Sequence, residues 1–212
     1  MVPTKERILD AAERLFARGG FEATSLRAIT TEAGVNLAAV NYHFQSKDAL
    51  LHAVIERRFG PVNRRRIEIL DELEARAGNG NLPLREVINA FVRPVLELAR
   101  TDARCFAPMV GRVFIENEEF VDRFFRKHLA PIAGRFRRAF GRAVPEIPEV
   151  ELLWRAHFLI GAMAHTMTAS RLLLAFSGGQ CTLDDVDAVV ERFVHVFTAV
   201  FEAPVEEVQH AR

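Results

Sequence analysis

LRAITTEAGVNLAAVNYHFQSK, residues 26–47, reads as two short helices about a tight turn, with a third helix opening at its end. Thr24-Ser25 supplies an N-cap for a helix over Leu26 to Ala33, with Leu26, Ile29 and Ala33 at inward spacing. Gly34 stops it, because glycine enters the left-handed region without a Cβ clash. Asn36 caps the next helix, Leu37 to about Phe44, and Ser46 caps a further one that starts at Lys47. Helix, glycine turn, helix is the helix-turn-helix arrangement.

In such a unit the second helix enters the DNA major groove and the first crosses the phosphates. Val35, Val40 and Phe44 supply its inward face, leaving Leu37, Ala38, Asn41, Tyr42 and, at the end, His43 outward. Small residues allow close approach to base edges, apolar ones meet thymine methyls, and Asn41 can bond bidentately to adenine. Tyr42 is the only tyrosine in a chain with 17 phenylalanines. A phosphate oxygen in reach of Tyr42 and His43 gives that hydroxyl a use. Lys47, beside free N–H groups at a helix N-terminus, makes a phosphate site. Arg27 is placed to reach the duplex, and Thr24 and Ser25 can bond its backbone. Plainer readings stand beside these: solvated charges for Arg27 and Lys47, a packed ring for Tyr42, a cap for Asn36, a structural His43. The combination at this spacing favours DNA.

The bulk numbers agree once the chain is divided. The 212 residues are 50% hydrophobic and 26% charged, an ordinary globular composition, and the formal net charge is zero. Residues 1–66 hold 11 Lys/Arg against 7 Asp/Glu, and the remainder 17 against 21, so the basic excess lies beside the helix-turn-helix. Cys105 and Cys181 are far apart among apolar or small residues, with no C-x-x-C pair, and read as two buried thiols. MVPTKERILDAAERLF has charges throughout and no apolar core of a signal peptide. The uncharged run AHFLIGAMAHTMTAS, between Arg155 and Arg171, is shorter than the ~20 residues a bilayer span needs. The expected compartment is the cytoplasm.

Helical periodicity continues along the chain, and the expected fold is all-α. Ile8, Leu9, Ala12, Leu15 and Phe16 form the stripe of a first helix that ends at Gly19-Gly20. The helix from Lys47 reaches Gly60-Pro61, where proline kinks it or opens a continuation to about Gly78. GNGNLP, 78–83, is the clearest linker, followed by helices expected at 84–100, 104–116, 118–142 with a bend at Pro131, 149–176 and 183–203. Thr182 with Asp185 forms a short capping box for the last.

Residues 8–56, from ILDAAERLF to GGFEATSLRAITTEAGVNLAAVNYHFQSKDALLHAVIE, resemble the DNA-binding domain of TetR-family transcriptional regulators. The likeness lies in the Thr-Ser start, the Ala-Gly-Val turn, the Tyr/His-Phe pair and the Ser-Lys-x-x-Leu opening of helix four. It implies an all-helical homodimer with no cofactor. Each subunit would carry a helix-turn-helix head over 1–46 and a ligand-binding and dimerisation domain over 47–212, linked by helix four. Ligand binding would shift the separation of the heads and release an inverted-repeat operator, with repression the usual sign. The family's DNA contacts fall on Thr24, Ser25, Arg27, Asn36, Leu37, Ala39, Asn41, Tyr42, His43 and Lys47. Asn41 and Leu37 depart from the common pattern, where tyrosine and a polar residue are usual, so base preference does not transfer. VNLAAVNYHF, and more loosely PEIPEVELLWRAHFLIGAMAHTMT (145–168), resemble a subgroup that responds to fatty acids or acyl-CoA.

In the C-terminal half, phenylalanine and methionine stripes read first as core. A ligand pocket between helices would draw on Met109, Arg112, Val113, Trp154, Phe158, Met163 and Met167. Arg112 either meets an anionic ligand end or pairs with Glu116 at i,i+4. His157 and His165 lie about 80° apart round a helix, poor geometry for a shared metal, and read as core or interface side chains. Gly161 and Ala162, with Val189, Phe193, Val196, Phe197 and Val200, suggest a four-helix dimer interface. A helical lipid-handling enzyme and a protein-interaction module are the alternative classes. Against an enzyme, the sequence offers no nucleophile with a nearby base, no metal-ligand spacing and no glycine-rich phosphate loop.

Overall fold

The computed structural model describes residues 2–98, 122 and 125–205, in which nine α-helices form two compact units. The first unit takes 2–64, 98, 122 and 125–130 of these, and the second 65–97 and 131–205. The division falls inside the fourth helix, later than Lys47, because the first turns of that helix belong to the core of the first unit.

α1 (Thr4–Gly19), α2 (Leu26–Ala33) and α3 (Leu37–Phe44) have the expected bounds. Gly20 ends α1 with a positive φ of 83°, its N–H donating to Phe16 O. Ile8, Leu9, Ala12 and Phe16 from α1 meet Ile29 and Ala33 from α2, Val40 and Phe44 from α3, and Leu50, Leu51, Val54 and Ile55 from α4. Phe21, in the loop after α1, closes on Phe16 with ring centroids 5.6 Å apart. Each large side chain so buried contributes about 1.5–3 kcal/mol, which lets two eight-residue helices persist although neither is stable alone.

α4 runs from Lys47 to Ala77 without a break in assignment at Pro61. Proline removes one backbone bond there, and the burial of Val62, Leu70 and Leu73 along the helix offsets that loss. Past its end, Arg142 donates to Gly78 O and Gly80 O, holding the linker.

In the second unit, α5 (Leu84–Leu98), α6 (Ala130–Ala143), α7 (Glu149–Thr168), α8 (Ser170–Phe176) and α9 (Val186–Glu202) accompany the end of α4. The core is aromatic: Phe91 lies edge-on to Phe136 at 4.9 Å, and Phe140 stacks on Phe201 at 4.7 Å. The helix expected over 104–116 lies outside the described residues. Just before α6, Phe125–Leu129 form a π-helical turn, and Pro131, which has no N–H to give, is the second residue of α6. The single helix expected over 149–176 is instead α7 and α8, bent by 80° at Ala169. Thr166 and Thr168 hydroxyls donate back to Ala162 O and Ala164 O at 2.8 Å, competing with the backbone ladder in the last turn. The cap of α9 is Asp185 alone, accepting from Ala188 N–H, whereas Thr182 accepts from Asp184 N–H. Cys181 is exposed in the loop after α8 rather than buried, and Cys105 lies outside the described residues. Among the described residues, no single helix is long and apolar enough to cross a membrane.

Candidate nucleic-acid interface

Local caps set the geometry of the helix-turn-helix. Ser25 Oγ accepts from Ala28 N–H at 3.1 Å and starts α2. At its end Gly34 is left-handed (φ 62°), Gly34 N–H reaches Thr31 O, and Val35 N–H reaches Thr30 O. Asn36 Oδ1 then accepts from Ala39 N–H at 2.9 Å and starts α3. Val40 and Phe44 anchor α3 in the core, and Val35 and Ala39 pack against it half-buried.

The rest of α3 faces outward. Leu37 is 43% exposed, Ala38, Asn41 and His43 are exposed, and Tyr42 is 83% exposed. Tyr42 and His43 meet edge-on at 5.0 Å, so the two rings form one polar-tipped ledge. Arg27 and Ser25 are exposed on α2 and its cap. This brings Ser25, Arg27, Asn36, Leu37, Ala38, Asn41, Tyr42 and His43 onto the outside of one small unit.

Two expected contact residues behave differently. Thr24 is only 6% exposed, and its hydroxyl donates to Gly20 O at 2.7 Å and to Leu15 O at 3.3 Å. Its side chain holds the loop in which α1 ends, so any contact it makes outside is through the backbone. Lys47 is half-buried, its Nζ 4.3 Å over the Phe21 ring and donating to Glu22 O at 3.2 Å. The ammonium has further hydrogens to give, and its position is fixed by the loop it bridges.

Sequence reading missed Gln45, which takes φ 66° and ψ −39°, with Ser46 N–H donating to Phe44 O at 2.7 Å. That γ-turn redirects the chain between α3 and α4 within two residues, and glutamine carries no glycine-like signal of it. Ser46 Oγ then accepts from Ala49 N–H, as its cap position required.

The basic excess of this region is partly neutralised inside the unit. Arg57 donates to Asp10 at 2.7 Å, to Glu6 at 3.3 Å and to Glu13, and Arg58 also bonds Glu13. Burial opposes the Arg57 charge, but the bonds and charges of Glu13 and Asp10 outweigh it and hold its pKa above the ordinary arginine value. The two arginines tie α4 to α1.

Among the residues expected at an effector pocket or a dimer interface, some are buried and some exposed. Met109, Arg112 and Val113 lie outside the described residues. Leu152, Arg155, Leu159 and Met163 form the inward stripe of α7, which leaves Trp154 (54% exposed) and Phe158 (56%) on its outer side. Met163 is buried and Met167 half-buried. Val189, Phe193 and Phe197, expected at an interface, are buried within the chain itself, the Phe193 and Phe197 rings stacked 5.9 Å apart. Val196 and Gly161 are exposed, and Ala162 and Val200 are half-buried. His157 and His165 are both exposed at the surface of α7, so neither is a core residue.

Known proteins resemble this chain in sequence and in fold. Residues 8–54 match the model of bacterial regulatory proteins of the tetR family, and 89–199, more than half of the chain, match the tetracyclin repressor-like C-terminal domain. The chain is 31% identical over 124 residues to YerO of Bacillus subtilis, an uncharacterised HTH-type transcriptional regulator, covering 58% of this chain and 40% of YerO. It is 29% identical over 133 residues to the HTH-type transcriptional repressor KstR of Mycobacterium tuberculosis, covering 59% of this chain and 58% of KstR. The matched stretches thus span less than two thirds of either relative. The structure of the fatty acid degradation regulator FadR from Bacillus halodurans superposes with a TM-score of 0.61 at 14% identity, over 96% of this chain and 99% of that one. At that identity the likeness is one of fold.

Proposed function

The chain belongs to the tetR family of bacterial regulatory proteins, a family of transcriptional regulators rather than enzymes, and on that premise we propose that it is a DNA-binding repressor released by a small effector. The observation that carries this reading is the outward face of α3, polar and exposed over Asn41, Tyr42 and His43 on a helix anchored by Val40 and Phe44. Asn41, with Leu37 and Ala38, reads bases; Tyr42, His43, Arg27, Ser25 and Lys47 take phosphates. Asn36, Ala39 and Thr24 set the helix in place.

A two-fold dimer on an inverted repeat completes the reading. Trp154, Phe158 and Gly161 on α7 and Val196 on α9 are exposed apolar or small residues, and a second copy would cover them. The proposed effector is apolar or amphipathic, a fatty acid or acyl-CoA. Three things support it: the likeness of VNLAAVNYHF to a lipid-responsive subgroup, a fold shared with a regulator of fatty acid degradation, and the setting of Arg66. Arg66 is 5% exposed, lies 4.2 Å over the Phe91 ring and donates to Phe91 O. Burial pushes its pKa down to about 9, so it stays a cation at neutral pH among apolar side chains, a charge that an anionic ligand end would meet.

The test is selection of bound duplexes from a random pool, then titration of the winner at two salt concentrations. A dimeric repressor selects an inverted repeat and weakens steeply with salt, and Asn41→Ala changes which sequence wins. A pool that yields no preferred sequence refutes the repressor reading. For the effector, long-chain fatty acids or acyl-CoA raise the melting temperature and lower operator affinity. A response only to planar aromatic compounds overturns the lipid assignment.

A further inference from the structure

Helix α2 ends with more carbonyls than its own last turn can satisfy. Its last turn leaves orphan acceptors, as every helix C-terminus does. Gly34 N–H takes Thr31 O and Val35 N–H takes Thr30 O, and the carbonyls of Ala33 and Gly34 come next in the chain. Arg7, on the first turn of α1, reaches both. Its terminal Nη2 donates to Ala33 O at 2.6 Å and to Gly34 O at 2.8 Å, across 26 and 27 residues of sequence. A cation at the C-terminal end of a helix also meets the negative end of its dipole.

The glycine and the arginine fit one another. Gly34 has φ 62°, and a Cβ built there would lie 2.8 Å from Arg7 Nη2. The missing side chain thus serves both the left-handed backbone and the guanidinium seated over it. The two carbonyls belong to the last residue of α2 and to the glycine that follows it, so whatever fixes them fixes the angle at which α3 leaves α2.

We propose that Arg7 is a positioning residue for DNA reading: it clasps the turn of the helix-turn-helix from α1 and sets the recognition helix α3 for the groove. It touches no base in this role and acts through the Ala33 and Gly34 carbonyls. The functional half rests on α3 being the DNA-reading helix, whereas the clasp itself does not.

The test uses Arg7→Met and Arg7→Lys in the full chain, with native-state amide hydrogen exchange and operator titration over salt. In Arg7→Met, amides of 34–44 exchange faster than in wild type while those of α1 and α4 keep their protection. Operator affinity falls about tenfold at every salt concentration with an unchanged salt slope, because no phosphate contact is lost. Arg7→Lys, whose side chain is shorter but still charged, falls between the two. Three results overturn the proposal: exchange that rises evenly through α1, α2 and α4, a salt slope lower by about one in Arg7→Met and restored in Arg7→Lys, or no change in either readout. The first marks Arg7 as general stability and the second as a phosphate contact. Should wild type select no duplex, the repressor reading fails, and the exchange pattern alone still decides whether Arg7 clasps the turn.

Discussion

Removing one oxygen from Tyr42 separates surface chemistry from folding. The side chain is 83% exposed, and its ring touches His43 rather than the core, so Tyr42→Phe leaves the head as stable as before, within about 0.5 kcal/mol. What it removes is one hydrogen bond from a neutral hydroxyl to an anionic phosphate. Such a charge-assisted bond contributes about 1.5–3 kcal/mol, which converts to an operator complex weaker by roughly ten- to 150-fold. The loss falls equally on every sequence, since the phosphate carries no base identity, and the salt slope is unchanged, since no cation is removed. Fluorescence anisotropy with the selected operator and two shuffled duplexes, at two salt concentrations, measures all three quantities. Unaltered affinity on every duplex would show that the hydroxyl meets no phosphate. A loss confined to the operator would move Tyr42 from backbone contact to base reading.

Lys47→Ala lowers head stability by about 1 kcal/mol through loss of the Phe21 stack and the Glu22 O bond, and reduces the salt slope by about 0.9; calorimetry and the same titration read these separately. Gln45→Gly relieves the positive φ of the γ-turn and raises stability by about 0.5–1 kcal/mol in denaturant unfolding; a loss would mean the glutamine side chain contributes more than its backbone strain costs. Trp154→Glu leaves the subunit folded, because the ring lies outside the core, but yields monomer by light scattering and weakens operator binding; a persistent dimer would move the interface elsewhere.

Much of the head was legible because its determinants are local. Ser25, Asn36 and Ser46 each accept from a backbone N–H three residues on, and Gly34 takes the left-handed turn its lack of Cβ permits. The exposed face of α3 followed from the burial of Val40 and Phe44 at helical spacing. Thr24 escaped the same logic. It sits in the cap sequence, yet its hydroxyl turns to Gly20 O because the end of α1 folds back over it.

The amino-acid sequence by itself determined where the head's helices start and stop, through side chains that bond backbone groups a few residues away. Tertiary structure alone decided which face of a two-sided helix is buried. α7 carries apolar residues nearly all round, so its period chooses no face; Arg155, donating to Phe201 O and Ala203 O from across the chain, turns Leu159 and Met163 in and leaves Trp154 and Phe158 out. Arg7 belongs to the same class. No pattern near residue 7 announces two carbonyls 26 and 27 positions away, since such a bond exists only once packing has brought α1 against the end of α2.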